Sequence, residues 1–304
     1  MAVSNVHTLY AVSITSGALL DQVSDWNFGA GLRHALLSGD GSVDPTFVTV
    51  GVQEPSISFT TTAIATALAA CGLDGLAIAS ANALVAWLQK CTEGGTRTAG
   101  ANHIKAVMNK GILVPRSINA NQEGATISFD AVATYDGTNA PFVLTGSQSL
   151  TGTAAVSEAF VAGPCVINGT TINGVVNITI DFGLQVRAIA GDGHPWPTYC
   201  TIIGRQPRIT ITTPDVTVLT TFGLNGVAQS ATDSVIYLRK CDEGGTRVAD
   251  VTAEHISFSI DQGHIFTNSI RAPQGSEAMA ELVIVPTYDG SNAIIAIDTT
   301  AAIA

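Results

Sequence analysis

Apolar and polar residues alternate with a period of two along much of this chain, the mark of strands with one face buried. Ser56-Ile57-Ser58-Phe59-Thr60 and Arg208-Ile209-Thr210-Ile211-Thr212 show it most cleanly, and Pro55 and Pro207 precede them, at a strand entry where a missing N–H is tolerated. Residues 255–261 (HISFSID) alternate in the same way, with Ile256, Phe258 and Ile260 on the side to be buried. Residues 127–133 and 281–285 form later strands, each followed by a Tyr-Asp-Gly turn. The pattern changes to a short helix in two places. Thr213-Pro214-Asp215 reads as a helix start, with Thr213 as N-cap, and Gly223 as its end. Thr61 through AIATALAAC to Gly72 reads likewise, while Val216, Thr217 and Val218 weaken the second helix by propensity. Residues 83–90 and 235–240 are strands that lead into an EGGTR segment, where consecutive glycines supply positive φ for a reversal.

These elements occur twice in the same order. KCTEGGTR (residues 90–97) returns as KCDEGGTR (240–247), TYDGTNA (134–140) as TYDGSNA (287–293), and the GDG at 39–41 as the GDG at 191–193. Equivalent positions lie 150 to 153 residues apart: 152 for Pro55/Pro207, 151 for Gly72/Gly223, 150 for Cys91/Cys241 and 153 for Tyr135/Tyr288. A nearly constant offset over the whole chain means two complete copies end to end. The expected fold is mainly β: two tandem homologous β-sandwich or half-barrel domains, residues 1–152 and 153–304, each with one short helix, a long hairpin and its own modest core. The join falls near residues 150–159.

Composition changes the picture by exposing a shortage of charge. Only 12% of residues are charged, about half of what soluble domains usually carry, alongside 46% hydrophobic residues. Edge strands in a free monomer are normally blunted by charge or proline. With so little charge available, the edges of this chain read as surfaces that other subunits cover. The net charge of −11 is shared by both halves, and four lysines are too few to grip phosphates. Five cysteines without a CxxC pair fit a reducing compartment. The beginning MAVSNVHTLY does not read as a signal peptide, and no apolar run is long enough for a membrane span, so neither export nor membrane insertion is expected. The Asn168 and Asn177 glycosylation triplets then count as chance matches.

The candidate chemistry is thin. Cys91 with His103, and Cys241 with His255, recur at matching positions and could pair a thiolate with a base; a small packed thiol and a histidine bonded to backbone is the plainer reading. Each GDG offers one carboxylate where a calcium site needs several. EGGTR has neither the GxxxxGK[ST] nor the GxGxxG spacing, and His34, His194 and His264 lack zinc-ligand spacing. No catalytic, cofactor-binding or metal-binding residue is assigned, no cofactor is expected, and an enzyme is not.

Each of the two copies resembles the tail tube protein (major tail protein) of long-tailed bacteriophages, in the form with two tube domains fused in one polypeptide. The strand into a short helix at residues 207–216, Gly223 and the two-stranded hairpin that follows carry the resemblance, with residues 55–71 and Gly72 in the first copy. It implies a structural virion protein, assembled in the host cytoplasm into homotrimeric, pseudo-hexameric rings. The rings stack into a tube that meets other tail proteins and lets DNA pass during ejection. Closure of a head-to-tail ring removes free strand edges, and an acidic balance suits a wall past which phosphates slide. The matching segments 112–123 and 264–275, taken as loops, are the candidates for ring-to-ring contact. Two other readings stay open: a double-barrel viral major capsid protein, and a surface adhesin-type β module.

Overall fold

The computed structural model of the chain describes residues 6–14, 19–20, 22–92, 96–98, 100–150, 158–191, 193–229 and 233–303. The first repeat runs β1 (Val6–Ser13), β2 (Leu19–Leu20), β3 (Val23–Gly29), β4 (His34–Leu37), β5 (Phe47–Val50), β6 (Ser56–Thr61), α1 (Ile64–Cys71), β7 (Leu76–Ile78), β8 (Leu84–Cys91), β9 (His103–Met108), β10 (Gly111–Asn121), β11 (Ala125–Ala133) and β12 (Phe142–Gln148). The second follows the same order: β13 (Ala159–Ile167), β14 (Thr170–Ile172), β15 (Asn177–Asp181), β16 (Leu184–Ile189), β17 (Tyr199–Arg205), β18 (Arg208–Thr213), α2 (Val218–Phe222), β19 (Val227–Ala228), β20 (Ser234–Cys241), β21 (His255–Ile260), β22 (Gly263–Arg271), β23 (Met279–Pro286) and β24 (Ala296–Ala301).

The fold is mainly β, and among the described residues the pairing is antiparallel throughout with no closed barrel. Each repeat has its own five-stranded outer sheet, ordered β12-β9-β8-β1-β2 in the first and β24-β21-β20-β13-β14 in the second. The facing inner sheet is shared. Its ten strands run β19-β22-β23-β18-β15-β10-β11-β6-β3, with β7 also on β10. β4–β5 and β16–β17 form two separate two-stranded arms.

Period-two patterning places the inner-sheet residues as expected. Ile57, Phe59, Ile127 and Phe129 of the first repeat, and Ile178, Ile180, Ile209 and Ile211 of the second, are all buried on one face. Phe59 and Phe129 stack with centroids 5.2 Å apart, and α1 adds Ile64, Ala67 and Leu68. One continuous hydrophobic cluster crosses both repeats, where two separate cores were expected. The shared sheet is the reason, since its apolar face does not stop at the domain boundary.

Three local expectations need correction. Thr213 does not cap the second helix: its hydroxyl accepts the Asp215 N–H (3.0 Å), the Asp215 carboxylate accepts the Thr217 N–H (3.2 Å), and these turns precede α2. Thr61 accepts the Ala63 N–H (3.1 Å) before α1 in the same way. Both helices do end at the expected glycine, Gly72 at φ 65° and Gly223 at φ 64°, and α2 is the shorter, consistent with its β-branched start. The EGGTR glycines Gly244 and Gly245 have positive φ, while Glu93, Gly94 and Gly95 of the first copy lie outside the described residues. Finally, segments 112–123 and 264–275 are not loops. They are mostly strands β10 and β22, because alternating residues such as Leu113, Ile118 and Ala120 have an apolar face to bury.

Candidate assembly interface

The two repeats meet along two seams. The first is a strand pair. β10 sits antiparallel to β15, with Ser117 opposite Asp181, Ile118 opposite Ile180 and Asn119 opposite Thr179. The Phe182 N–H donates to the Arg116 carbonyl (3.0 Å) and, on the other side of β10, the Asn121 N–H donates to the Gly124 carbonyl (2.9 Å). Backbone groups of an antiparallel strand alternate in direction. Arg116, Ile118 and Ala120 therefore point their N–H and C=O toward β15, and Ser117, Asn119 and Asn121 toward β11.

The second seam is an arm on a platform. Directly after β15 the chain turns at Gly183, and the β16–β17 arm lies over the first repeat. Its tip is held by both backbone carbonyls and side chains. The Pro195 carbonyl accepts the Gln53 N–H (2.8 Å), the Pro197 carbonyl accepts the Tyr135 N–H (2.8 Å), and the Thr198 carbonyl accepts from Lys110 Nζ (3.2 Å). Trp196 Nε1 donates to Gln53 Oε1 (3.2 Å), and Tyr135 stacks on His194 with centroids 4.3 Å apart. At the arm's base Arg205 donates to the Leu73 carbonyl (2.9 Å) and pairs with Asp74, while Ile202 packs against Val114 beside Gly75. A further link crosses at α1, where Glu158 accepts the Thr66 N–H (3.0 Å). Burial pushes that carboxyl above its ordinary value, against the lowering effect of the helix amides.

Each half of this junction has a counterpart that is unused within the chain. By the repeat offset of 152, β22 corresponds to β10 and carries the same bulge: the register shifts between Thr267 and Ser269 as it does between Pro115 and Ser117. β19 pairs only with His264 and Ile265, so among the described residues nothing pairs with Ser269, Ile270 and Arg271 on the side away from β23. β3 corresponds to β15 and pairs only with β6, which leaves it as the opposite end of the ten-stranded sheet. Exposure follows the same asymmetry. Ile118 is fully buried and Ile270 is 51% exposed; Leu73 is 8% exposed and Leu224 73%; Leu184, at the base of the seated arm, is 4% exposed and Leu32, at the base of β4–β5, is 68%. Leu36, Leu37, Phe47, Val48 and Val50 of the unseated arm are exposed as well. The isolated apolar exposure of a single residue is ordinary, but Ile270, Leu224 and Leu32 each have a buried equivalent in the other copy, and Val48 and Val50 a partly buried one in Cys200 and Ile202.

The arms turn on glycine. Gly31 and Gly183 both hold φ 58°, and a Cβ there would stand 2.3 Å from the Glu54 carbonyl oxygen or 2.0 Å from that of Gln206. Gly183→Ala is expected to destabilise the monomer by on the order of 2–4 kcal/mol, because the methyl group strains a positive φ and meets backbone at the arm's base. Gly31→Ala meets the Glu54 backbone at the same φ and should cost a similar amount; parallel urea titrations of both variants measure it.

The residues singled out for chemistry occupy structural positions. His103 and His255 are buried, and the Nδ1 of each accepts an amide N–H, from Lys90 and Lys240 respectively, at 3.1 Å. His255 Nε2 lies 3.1 Å from the Ala249 carbonyl, and Cys241 Sγ accepts from Arg247, so these histidines and thiols have separate partners. All five cysteines are free; burial pushes Cys71 and Cys165 up to about 12. His34 lies on β4, His194 at the seated arm's tip and His264 against Phe266. Among the described residues no group of three or more His, Cys, Asp or Glu could hold a metal ion, and no helix is long and apolar enough to cross a membrane. Asp40 occupies the tip of β4–β5, while Asp192 lies outside the described residues. What sequence reading missed is the pair of arms. The signal was there, in two short apolar runs flanking each GDG at the repeat offset. No known family model matches the sequence, and no curated protein matches it.

Proposed function

We propose that this chain is a structural protein of the tail-tube kind, three copies of which join head to tail into a ring of six repeats, and that such rings stack into a DNA-conducting tube. The observation that carries the reading is the strand seam between β10 and β15, together with the two ends of the same sheet, β22 and β3, that match its halves and lie open. One chain thus contains one complete joint and the two halves of another. A heterologous contact of this type continues until a ring closes. Closure would turn the open ten-stranded sheet into a barrel wall without edges.

The polar face of the shared sheet supports a channel lining. Ser58, Thr60, Ser128, Asn119, Thr179 and Thr210 dominate it, and no lysine stands among these strands. Its Arg116 pairs with Asp130 at 3.3 Å and Arg208 lies opposite Asp181, so the sheet's positive charge is sparse, with Arg271 at the open end of β22 the remaining arginine. A sheet common to both repeats also favours a tube over the capsid reading, in which each jelly roll keeps its own two sheets. Electron microscopy of the purified protein tests this. Rings of three chains, stacked into hollow tubes, are the expected result; closed shells, or a monomer that persists at tens of micromolar, would overturn it.

A further inference from the structure

We infer that the β4–β5 arm is a clasp that seats on the second repeat of a neighbouring copy of this chain, in the groove between Leu224 and Tyr288. The inference rests on the head-to-tail reading above, but a different observation carries it: the seat occupied by β16–β17 inside the chain. The arm follows directly on the strand before it, since β15 runs into β16 through Gly183 as β3 runs into β4 through Gly31. A neighbour whose β3 adds to β22 therefore brings its own β4–β5 arm over the second repeat.

The internal seat specifies the contacts. Transposed by the repeat offsets, Ser269 stands opposite the neighbour's Gly29, Ile270 opposite Phe28 and Arg271 opposite Asn27. The Tyr288 N–H, counterpart of that of Tyr135, meets the neighbour's Pro45 carbonyl, counterpart of that of Pro197. Val50 takes the position of Ile202, beside Gly226 and Phe266 in place of Gly75 and Val114. Leu32 is covered as Leu184 is. Gly226 keeps the positive φ of Gly75 (76° against 83°), so the backbone turns alike at this point of the platform in both repeats. The charged pair Arg205 and Asp74 becomes Gln53 and Asn225, which removes an ion pair from the joint, while the floor stays apolar with Leu224 for Leu73 and Phe266 for Val114. Phe266, Tyr288 and Leu224 are exposed and Val48 and Val50 are exposed, two apolar surfaces of one chain that a second copy would bring together in this register.

The contact is one-sided, and its test uses that. Val50→Asp damages only the arm, and Leu224→Asp damages only the platform; both positions are exposed in the monomer, and unchanged urea midpoints will show that both variants fold. Each variant alone is expected to remain monomeric where the parent forms rings, a loss of association on the order of a hundredfold or more. Mixed in equal amounts they retain one intact joint, and native mass spectrometry should find a heterodimer of twice the 31.2 kDa chain and nothing larger. Rings formed by either variant alone, or a mixture that stays monomeric, would overturn the clasp while leaving ring formation by the parent intact. A parent chain that forms no ring at the same concentration would remove the head-to-tail reading as well.

Discussion

Ile270→Pro is expected to abolish assembly and leave a folded monomer. Its backbone N–H is the counterpart of that of Ile118, which faces β15 rather than β11, so the open edge loses a donor while the ladder between β22 and β23 keeps its own. The proline ring would also stand where the neighbour's β3 must approach. Losing one ladder bond and the close approach costs about 2–3 kcal/mol per joint, a factor of roughly 30 to 150 in each association step. A ring of three chains has three such joints, so closure falls by roughly four to six orders of magnitude. Ser269→Pro is the control, since its N–H faces Glu281 on β23 and its loss should lower the stability of the monomer itself. Sedimentation velocity with parallel urea titrations reads both effects. An Ile270→Pro chain that still forms rings would show that β22 is not the joining edge.

The distinction between those adjacent positions could not be drawn from sequence, although much of the fold could. Period two exposed the inner-sheet strands because Ile57, Phe59, Ile209 and Ile211 alternate against Ser and Thr. The repeat was visible because turn chemistry such as Tyr-Asp-Gly is tied to particular residues. Asp136, through the Asn139 side-chain amide and two backbone N–H groups of the turn, and Asp289, through two backbone N–H groups and the Asn292 side chain, are both held below the usual carboxylate range. Strand pairing across the repeats was not visible. Nothing in the residues of β10 distinguishes a partner in β15 from one in solvent, since both leave Ile118 on an apolar face, and a strand read as a loop at 112–123 hid the edge. The arms escaped for a similar reason. Leu32 and Leu184 are the same residue in the same local pattern, and only the platform beneath decides whether the side chain is covered.

That identity makes the arms a paired experiment. Leu184→Asp puts a carboxylate at a site that is 4% exposed, with Phe182 and the rest of the core nearby, and should destabilise the monomer by about 4–5 kcal/mol or more. For a domain whose total stability is typically about 5–15 kcal/mol, this is a large fraction, and partial unfolding at room temperature is the expected result. Leu32→Asp makes the same change at the equivalent position, 68% exposed, where a surface substitution shifts monomer stability by about 0.5 kcal/mol or less. The cost there appears only on assembly, because the neighbour's second repeat would have to bury the new charge. Circular dichroism in urea should thus separate the two variants while light scattering finds neither in rings. Equal loss of monomer stability would mean that β4–β5 packs within its own chain, and normal rings from Leu32→Asp would mean that its base stays in water after assembly.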